Sequence, residues 1–143
     1  MFVLDKSTSA DLEQQALDML TELKNHVASV GGKVNVGVVI FNKEAHTTGF
    51  MDLATQYNEI KAAIEQKISS GTNTHAGLLA GKRMLDGDTA TDASRKYLIF
   101  VSDGITYMFN EEPTAVAWTW NSDAHDFLNW AGPDNWGTKY GNT

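Results

Sequence analysis

The chain has 143 residues, of which 42% are hydrophobic and 20% charged, a composition that predicts one packed globular domain rather than a disordered chain. Its formal net charge of −7 argues against a nucleic-acid partner, because phosphate binding needs clustered Lys and Arg. The absence of cysteine excludes disulfides, thiolate metal sites and cysteine nucleophiles, and is compatible with both the cytosol and a bacterial surface.

The first part of the chain alternates predicted strands and helices. Residues 2–4 form a short apolar run that predicts a buried strand. From residue 11 to residue 30, apolar side chains recur at three- and four-residue spacing, which predicts an amphipathic helix ended by Gly31-Gly32. The Val- and Ile-rich residues 33–42 predict a central strand buried on both faces. Residues 46–53 predict a weaker edge strand.

The alternation continues to residue 104. Helices are predicted at residues 57–68 and 75–85, with a loop at 69–73 and a polar turn at 87–94. Residues 96–102 predict a second strongly buried strand, which ends at Asp103-Gly104. This order predicts an α/β fold, a Rossmann-like doubly wound and mostly parallel sheet with helices on both faces.

The composition changes after Gly104. Residues 105–143 contain all four tryptophans and both prolines, without a further Val- or Ile-rich strand. We therefore expect a core domain at residues 1–104, followed by a Trp-rich segment at 105–143 that is an insertion or an incomplete remainder of the same domain. The tryptophans either form a carbohydrate or peptide platform or anchor the segment to its own domain.

Oxygen-bearing side chains follow the predicted strands. Asp5, Ser7 and Ser9 lie at alternate positions after the first strand, and Asp103 directly follows the last. Residues 71–74 (Gly-Thr-Asn-Thr) open the third predicted helix. Because ligands of open α/β sheets bind at the carboxyl ends of the strands, we expect these loops to converge there. Hard oxygen ligands suit Mg²⁺ or Ca²⁺, and few carboxylates among several hydroxyls favour the smaller ion.

This ordered set resembles the metal-ion-dependent adhesion site (MIDAS) of von Willebrand factor type A (vWA) domains, which is Asp-x-Ser-x-Ser, then Thr, then Asp. Asp5, Ser7 and Ser9 match the first part, Thr72 the second and Asp103 the third. The resemblance implies a vWA fold, with the two Ser and the Thr contacting the metal and the Asp residues acting largely through water. The implied cofactor is Mg²⁺, with Mn²⁺ and Ca²⁺ as alternatives.

The chain departs from the family pattern in a few places. Thr8 stands where the family usually has Gly, and Ala10 where it has a larger apolar residue; neither change removes a ligand. Thr74 offers a second, less favoured register for the Thr element. The strands and helices that follow the Asp-Gly turn in the family are not recognisable in residues 105–143. Aromatic, Asn-rich insertions of this kind resemble those of vWA domains in Gram-positive pilus-tip adhesins.

The resemblance implies a binding module rather than an enzyme. Its partner would be a protein or extracellular-matrix component that supplies a carboxylate to the metal. The implied location is the cell surface or the extracellular space, although the cytoplasm stays open. No apolar run approaches the ~18 residues that suggest a membrane span. We find no signal-peptide pattern, and the chain opens almost at the ligand motif, as an excised domain would.

Other interpretations stay open. The motif from Asp5 to Ser9 could be a simple helix start, since Asp and Ser are favoured N-caps. A Mg²⁺-dependent hydrolase resembling aspartate-nucleophile phosphatases is a second hypothesis. However, it needs an acid where Ser7 stands and a lysine near the distal acids, whereas Lys96 precedes the last strand. A third is an intracellular vWA subunit of a metal-dependent assembly. The four histidines show no metal-ligand spacing.

Overall fold

The computed structural model describes residues 1–7, 10–42, 44–68 and 71–104, and the backbone of residues 109–110 and 140–141. Ser9, Thr8 and the four tryptophans of the Trp-rich segment lie outside the described residues. The predictions made for them therefore stay predictions.

The described residues form three α-helices and eight short strands. The helices are α1 (Glu13–Val30), α2 (Tyr57–Glu65) and α3 (Thr74–Gly87), and a short 3-10 helix spans Ala93–Arg95. The strands are β1 (Phe2–Asp5), β2 (Asn35–Val36), β3 (Val38–Phe41), β4 (Ala45–Thr47), β5 (Met51–Asp52), β6 (Ile99–Val101), β7 (Phe109–Asn110) and β8 (Tyr140–Gly141). Within the described part of the chain, every helix is too short or too polar to cross a bilayer.

The main sheet has the order β4-β3-β1-β6. Strand β1 pairs in parallel with β3 and β6, while β4 pairs antiparallel at the edge beside β3. The register places Asp5 opposite Phe41 and Leu4 opposite Val101. The parallel strands β1, β3 and β6 therefore end together, and the loops that leave them share one edge of the sheet.

Helices cover both faces of the sheet, as the alternation of elements predicts. The alternating side chains of β1 separate into two cores: Phe2 and Leu4 face one side, and Val3 faces the other. On the first side they pack with the buried side chains of α1 and α2, which are Ala16, Leu20, Ile60 and Ile64. On the second side, Val3 packs with residues of β3 and α3, which include Val39, Phe41 and Ala80. The predicted α/β layering, with helices on both faces of a mostly parallel sheet, is confirmed.

The helix predictions hold, with shifts of a few residues at the ends. Helix α1 ends at Gly31, whose φ of 66° places it in the left-handed region and whose N–H donates to the Val27 carbonyl. Glycine adopts this conformation without the steric cost that a Cβ brings, which is why the sequence predicts the end of α1 well.

The single strand predicted at residues 33–42 is wrong in detail. It divides at Gly37 into β2, which pairs antiparallel with β5, and β3, which lies in the main sheet. A Cβ at Gly37 would lie 2.9 Å from the Met84 Cε and 3.1 Å from the Phe50 Cε1. The glycine therefore permits a close approach of other side chains, a usual role of glycine inside strands. The edge strand predicted at 46–53 divides correspondingly into β4 and β5.

The strong burial predicted for residues 96–102 is also wrong. Strand β6 covers only Ile99–Val101, and Phe100 and Leu98 are 41% and 37% exposed. The reason is position in the sheet: among the described strands, β6 pairs with β1 alone. Its apolar residues resemble those of a central strand, but a sequence cannot show how many neighbours a strand has.

Candidate metal centre

Asp5 lies at the end of β1 as a fully buried carboxylate. Its Oδ1 accepts a hydrogen bond of 2.9 Å from the Ser7 backbone N–H, and its Oδ2 accepts one of 2.8 Å from the Ser102 hydroxyl. Ser102 Oγ in turn accepts from the Gly104 N–H at 3.1 Å. The carboxylate thus joins the loop after β1 to the loop after β6, which also carries Asp103.

The loop before α3 places Thr72 at the same edge of the sheet. The Asn73 N–H donates to the Asn42 carbonyl at 2.7 Å, and Asn42 directly follows β3. The Asn73 side chain accepts from the Ala76 N–H at 3.0 Å and caps α3. Gly71, with a φ of 78°, makes the turn into this loop. The start of α3 is therefore fixed to the end of β3, the strand beside β1.

The side-chain hydroxyl of Thr72 is buried in this loop. The residue is 1% exposed, and its Oγ1 is buried without a hydrogen-bond partner among the described residues. A buried hydroxyl without a partner costs about 1–3 kcal/mol and points to a water or an ion that completes it. Thr74, the alternative register, is the first residue of α3 and is half-buried. This difference favours Thr72 as the ligand.

The remaining predicted ligands differ in exposure. Ser7 is 5% exposed, and its backbone carbonyl accepts from the Ala10 N–H at 3.1 Å, which closes the turn after β1. Asp103 is exposed and follows β6 by two residues. Ser9 lies outside the described residues. Hydrogen bonds thus connect the three predicted loops at one edge of the sheet. The bond between Asp5 and Ser102 joins the loop after β1 to the loop after β6. The loop that carries Thr72 is joined to the end of β3, the strand beside β1.

The donor set has the chemistry of a hard-cation site. The described residues contain no cluster of three or more His, Cys, Asp or Glu side chains that could hold a metal. A metal at this edge would therefore rely on hydroxyls, with the carboxylates of Asp5 and Asp103 and with water. Mg²⁺ accepts this arrangement, because it takes about six oxygens and usually keeps several waters.

A charged cluster lies directly beside the candidate site. Lys6, between Asp5 and Ser7, donates to Glu13 Oε2 at 2.5 Å and to the Ile64 carbonyl at 2.7 Å. Lys67 also donates to Glu13, at 2.7 and 2.9 Å. Burial raises the pKa of Glu13, but the hydrogen bonds and positive charges of both lysines outweigh it, so this pKa lies below its usual value.

Sequence reasoning missed several of these residues. Asn73 carries a recognisable signal, because Asn before an apolar helix is a favoured N-cap. Ser102 and Asn42 each directly follow a strand, but nothing in the local sequence indicates their contacts. In the sequence, Lys6 is only the variable position between Asp5 and Ser7. Its hydrogen-bond partners lie 7 and 58 residues away in the chain, so the local sequence does not indicate them.

The family comparison agrees with this architecture. The von Willebrand factor type A domain family matches residues 1–123, most of the chain. The chain therefore belongs to the von Willebrand factor type A domain family. No curated protein matches it.

Solved structures with a similar fold include those of several pilus proteins. The pilus adhesin SpaC from Lactobacillus rhamnosus GG superposes with a TM-score of 0.64 at 24% identity, over 85% of this chain and 17% of SpaC. The PilB minor pilin from Streptococcus sanguinis gives 0.62 at 24% identity, over 76% and 30%. The vWF domain of the type V pili tip protein Mfa5 from Porphyromonas gingivalis gives 0.60 at 20% identity, over 91% and 46%. The chain spans less than half the length of each, and at these identities the likeness shows the fold.

Proposed function

We propose that this chain is a metal-dependent adhesion module that holds Mg²⁺ through Asp5, Ser7, Ser9, Thr72 and Asp103 and binds an acidic group of a protein or matrix partner. A cation bound there supplies an electrophilic position for a carboxylate oxygen of the partner. The residues of the chain orient and bind: the Ser and Thr hydroxyls would offer neutral oxygens to the cation, and the two carboxylates would act largely through bound water. With no anionic oxygen of the chain in direct contact with it, the cation favours an anionic partner as its last ligand.

The buried Thr72 hydroxyl is the observation that carries this proposal. Its Oγ1 has no partner among the described residues, although the loop that bears it is held by the Asn73 cap and by the hydrogen bond from Asn73 to Asn42. A fold that holds a hydroxyl without a partner so rigidly loses stability unless something binds it. A cation that also reaches the Asp5–Ser7 turn would satisfy it.

The environment of Asp5 favours binding over catalysis. An aspartate nucleophile must present a carboxylate oxygen to its substrate, but both oxygens of Asp5 accept hydrogen bonds within the chain, and the residue is fully buried. Ser7 occupies the position where a phosphatase-like mechanism would need a general acid. We therefore place this domain among the binding modules.

The fold also suggests where the module works. The similar structures include a pilus adhesin and a domain of a pili tip protein. We infer that this chain is likewise part of a surface adhesin, exposed to the extracellular space. Its partner is then a protein or matrix component outside the cell, and the carboxylate of that partner is the group that the site captures.

Metal-linked stability tests the proposal. The chain is unfolded by heat in EDTA and in saturating Mg²⁺, Mn²⁺ or Ca²⁺, in parallel with Asp103→Ala. At a hundredfold excess over the dissociation constant, linkage predicts a gain of about 2.7 kcal/mol in the free energy of unfolding. For a domain of this size that corresponds to a rise of roughly 5–10 °C in Tm.

Asp18→Ala is the matched control, because it removes one exposed carboxylate from the solvent face of α1. The proposal expects the Mg²⁺ shift to persist in Asp18→Ala and to disappear in Asp103→Ala. If the folded wild-type chain shows no shift with any of the three cations, the proposal is wrong.

A further inference from the structure

Lys6 is a buried cation inside the metal motif. The residue is 7% exposed, yet it lies between the two predicted ligands Asp5 and Ser7. Lysine is seldom buried to this degree without a specific partner. Its ammonium group has two, Glu13 Oε2 at 2.5 Å and the Ile64 carbonyl at 2.7 Å. Lys6 therefore reaches away from β1 and binds two other elements.

The two acceptors lie where other elements meet the site. Ile64 is in the last turn of α2, where carbonyls have no partner within the helix and a cation is favourable. Eight residues after Ile64, the chain reaches Thr72. Glu13 is the first residue of α1, the helix that follows the Asp5–Ser9 motif. The ammonium group thus connects the turn that carries Asp5 and Ser7 to the helix that leads into the Thr72 loop.

The positive charge of Lys6 has a counter-charge in the Glu13 carboxylate, which Lys6 shares with Lys67. Glu13 is 25% exposed and accepts from both Lys6 and Lys67, while Lys67 is 80% exposed. The Glu13 carboxylate offsets the positive charge of Lys6, which would otherwise oppose a cation bound nearby. With this counter-charge beside it, Lys6 can hold the Asp5–Ser7 turn in place without strongly repelling a cation bound at the site.

We propose that Lys6 is a positioning residue of the cation site, which holds the Asp5–Ser7 turn against α1 and α2 so that its oxygens face the Thr72 loop. This inference rests on the proposed function. Residues that orient metal ligands from behind affect metal affinity about 10- to 100-fold when they are replaced. Lys6 acts through Asp5 and Ser7 and is not itself a ligand.

The first experiment uses the metal-free chain. Lys6→Met keeps the length of the side chain but removes both hydrogen bonds to Glu13 and Ile64. Backbone amide exchange is measured by NMR in EDTA at Ser7, whose N–H donates to Asp5, and at Ala10, whose N–H donates to the Ser7 carbonyl. We expect faster exchange at both amides in Lys6→Met and unchanged exchange in Ile60→Val, a mild change in the α2 core. Equal exchange in all three proteins would overturn the inference.

The second experiment is a calorimetric titration of the wild type and of Lys6→Met with Mn²⁺. The decisive result is whether the substitution strengthens or weakens Mn²⁺ binding. If Lys6 acted only through its charge, its removal would strengthen cation binding; a positioning role predicts binding about 10- to 100-fold weaker. Lys67→Met is the matched control. It removes one positive charge from the same carboxylate without touching the turn, so we expect wild-type or slightly tighter binding.

The outcomes separate the two proposals. If the wild-type chain binds Mn²⁺ and Lys6→Met binds it as tightly or more tightly, the positioning role is overturned and the proposed function stands. If the wild-type chain binds none of Mn²⁺, Mg²⁺ and Ca²⁺, the proposed function is overturned and this inference with it. Weaker binding by Lys6→Met alone supports both.

A second variant covers the case in which Lys6→Met does not fold. Lys6→Met combined with Glu13→Leu removes both members of the ion pair, leaves the net charge unchanged, and avoids an unpaired buried charge. We expect this double variant to fold and still to bind Mn²⁺ at least about 10-fold more weakly. Unchanged affinity in the folded double variant would overturn the positioning role.

Discussion

At the residue scale, burial distinguishes the candidate site from an ordinary helix start. A capping Asp or Ser sits at a helix terminus, but Asp5 is fully buried at the end of β1, and α1 begins only at Glu13, with no side-chain cap at Leu12. The sequence pattern could identify Asp5, Ser7, Thr72 and Asp103 as candidates because they directly follow strands or precede a helix. It could not identify the Ser102–Asp5 bond, which joins residues 97 positions apart.

Thr72→Val should change stability in opposite directions with and without metal. Valine keeps the shape of threonine but removes the hydroxyl that has no partner among the described residues. In EDTA we expect stability equal to the wild type or higher by about 1 kcal/mol, because a buried unsatisfied group is removed. In Mg²⁺ the metal-dependent gain should be lost. Urea unfolding in both buffers measures both effects, and a large loss of stability in EDTA would show that the hydroxyl has a structural partner.

Glu13 should make stability depend on pH. Its pKa lies below the usual 4.5, because Lys6 and Lys67 outweigh the effect of burial. A carboxyl whose pKa falls on folding contributes stability above the unfolded-state value, and that contribution is lost as the pH falls through the folded-state value. Glu13→Gln should therefore be less stable than the wild type at pH 7, with the difference shrinking below pH 4.5. Urea unfolding from pH 7 to pH 3 measures it, and a constant difference would contradict the account.

At the element scale, two glycines allow α3 to pack close to the sheet. A Cβ at Gly77 would lie 2.5 Å from the Phe41 Cδ1, and one at Gly81 would lie 2.8 Å from the Val3 Cγ2. The periodicity of the sequence predicted α3 well, because its buried face repeats every three or four residues. The depth at which α3 packs could not be predicted, since it depends on which sheet side chains face the glycines.

Gly77→Ala should therefore destabilise the fold. The added methyl group meets the Phe41 ring, which is stacked on Phe100 with centroids 6.1 Å apart, so the ring cannot move freely. Overpacking of this kind costs about 1–3 kcal/mol, more than the helix preference for alanine returns. Gly87→Ala in the same helix is the control, because a Cβ there meets nothing within 4 Å.

Thermal or urea unfolding of both glycine variants provides the measurement. We expect Gly87→Ala to be neutral or stabilising by up to about 1 kcal/mol, because alanine is the better helix former. Equal stability of Gly77→Ala and Gly87→Ala would mean that α3 does not pack as closely as described.

At the scale of the whole molecule, the alternation of strands and helices was sufficient to predict the α/β class and its layers. It was not sufficient for the order of the strands. The central position of β1, between β3 and β6, arises from pairing between distant segments, as does the place of β6 at the edge of the described strands. The division of residues 33–42 at Gly37 has the same origin, because β2 finds its partner in β5.

The overall charge predicts a second, weaker response to ions. A net charge of −7 makes any cation somewhat stabilising through screening of self-repulsion. NaCl at the ionic strength of the Mg²⁺ buffer should therefore raise Tm slightly, and by the same amount in the wild type and in Asp103→Ala. Only the additional Mg²⁺ shift should depend on Asp103. If NaCl reproduces the whole Mg²⁺ effect, screening rather than a site accounts for it.

The most direct test of the central claim is the anomalous scattering of Mn²⁺ in crystals of this chain. The account predicts one strong peak at the carboxyl edge of the sheet, with the hydroxyls of Ser7 and Thr72 as direct ligands at about 2.1–2.2 Å, close to the distances that Mg²⁺ requires. The carboxylates of Asp5 and Asp103 should lie within reach of waters bound to the ion. A well-ordered crystal in Mn²⁺ with no peak beside Thr72, or with the ion bound elsewhere, would contradict it.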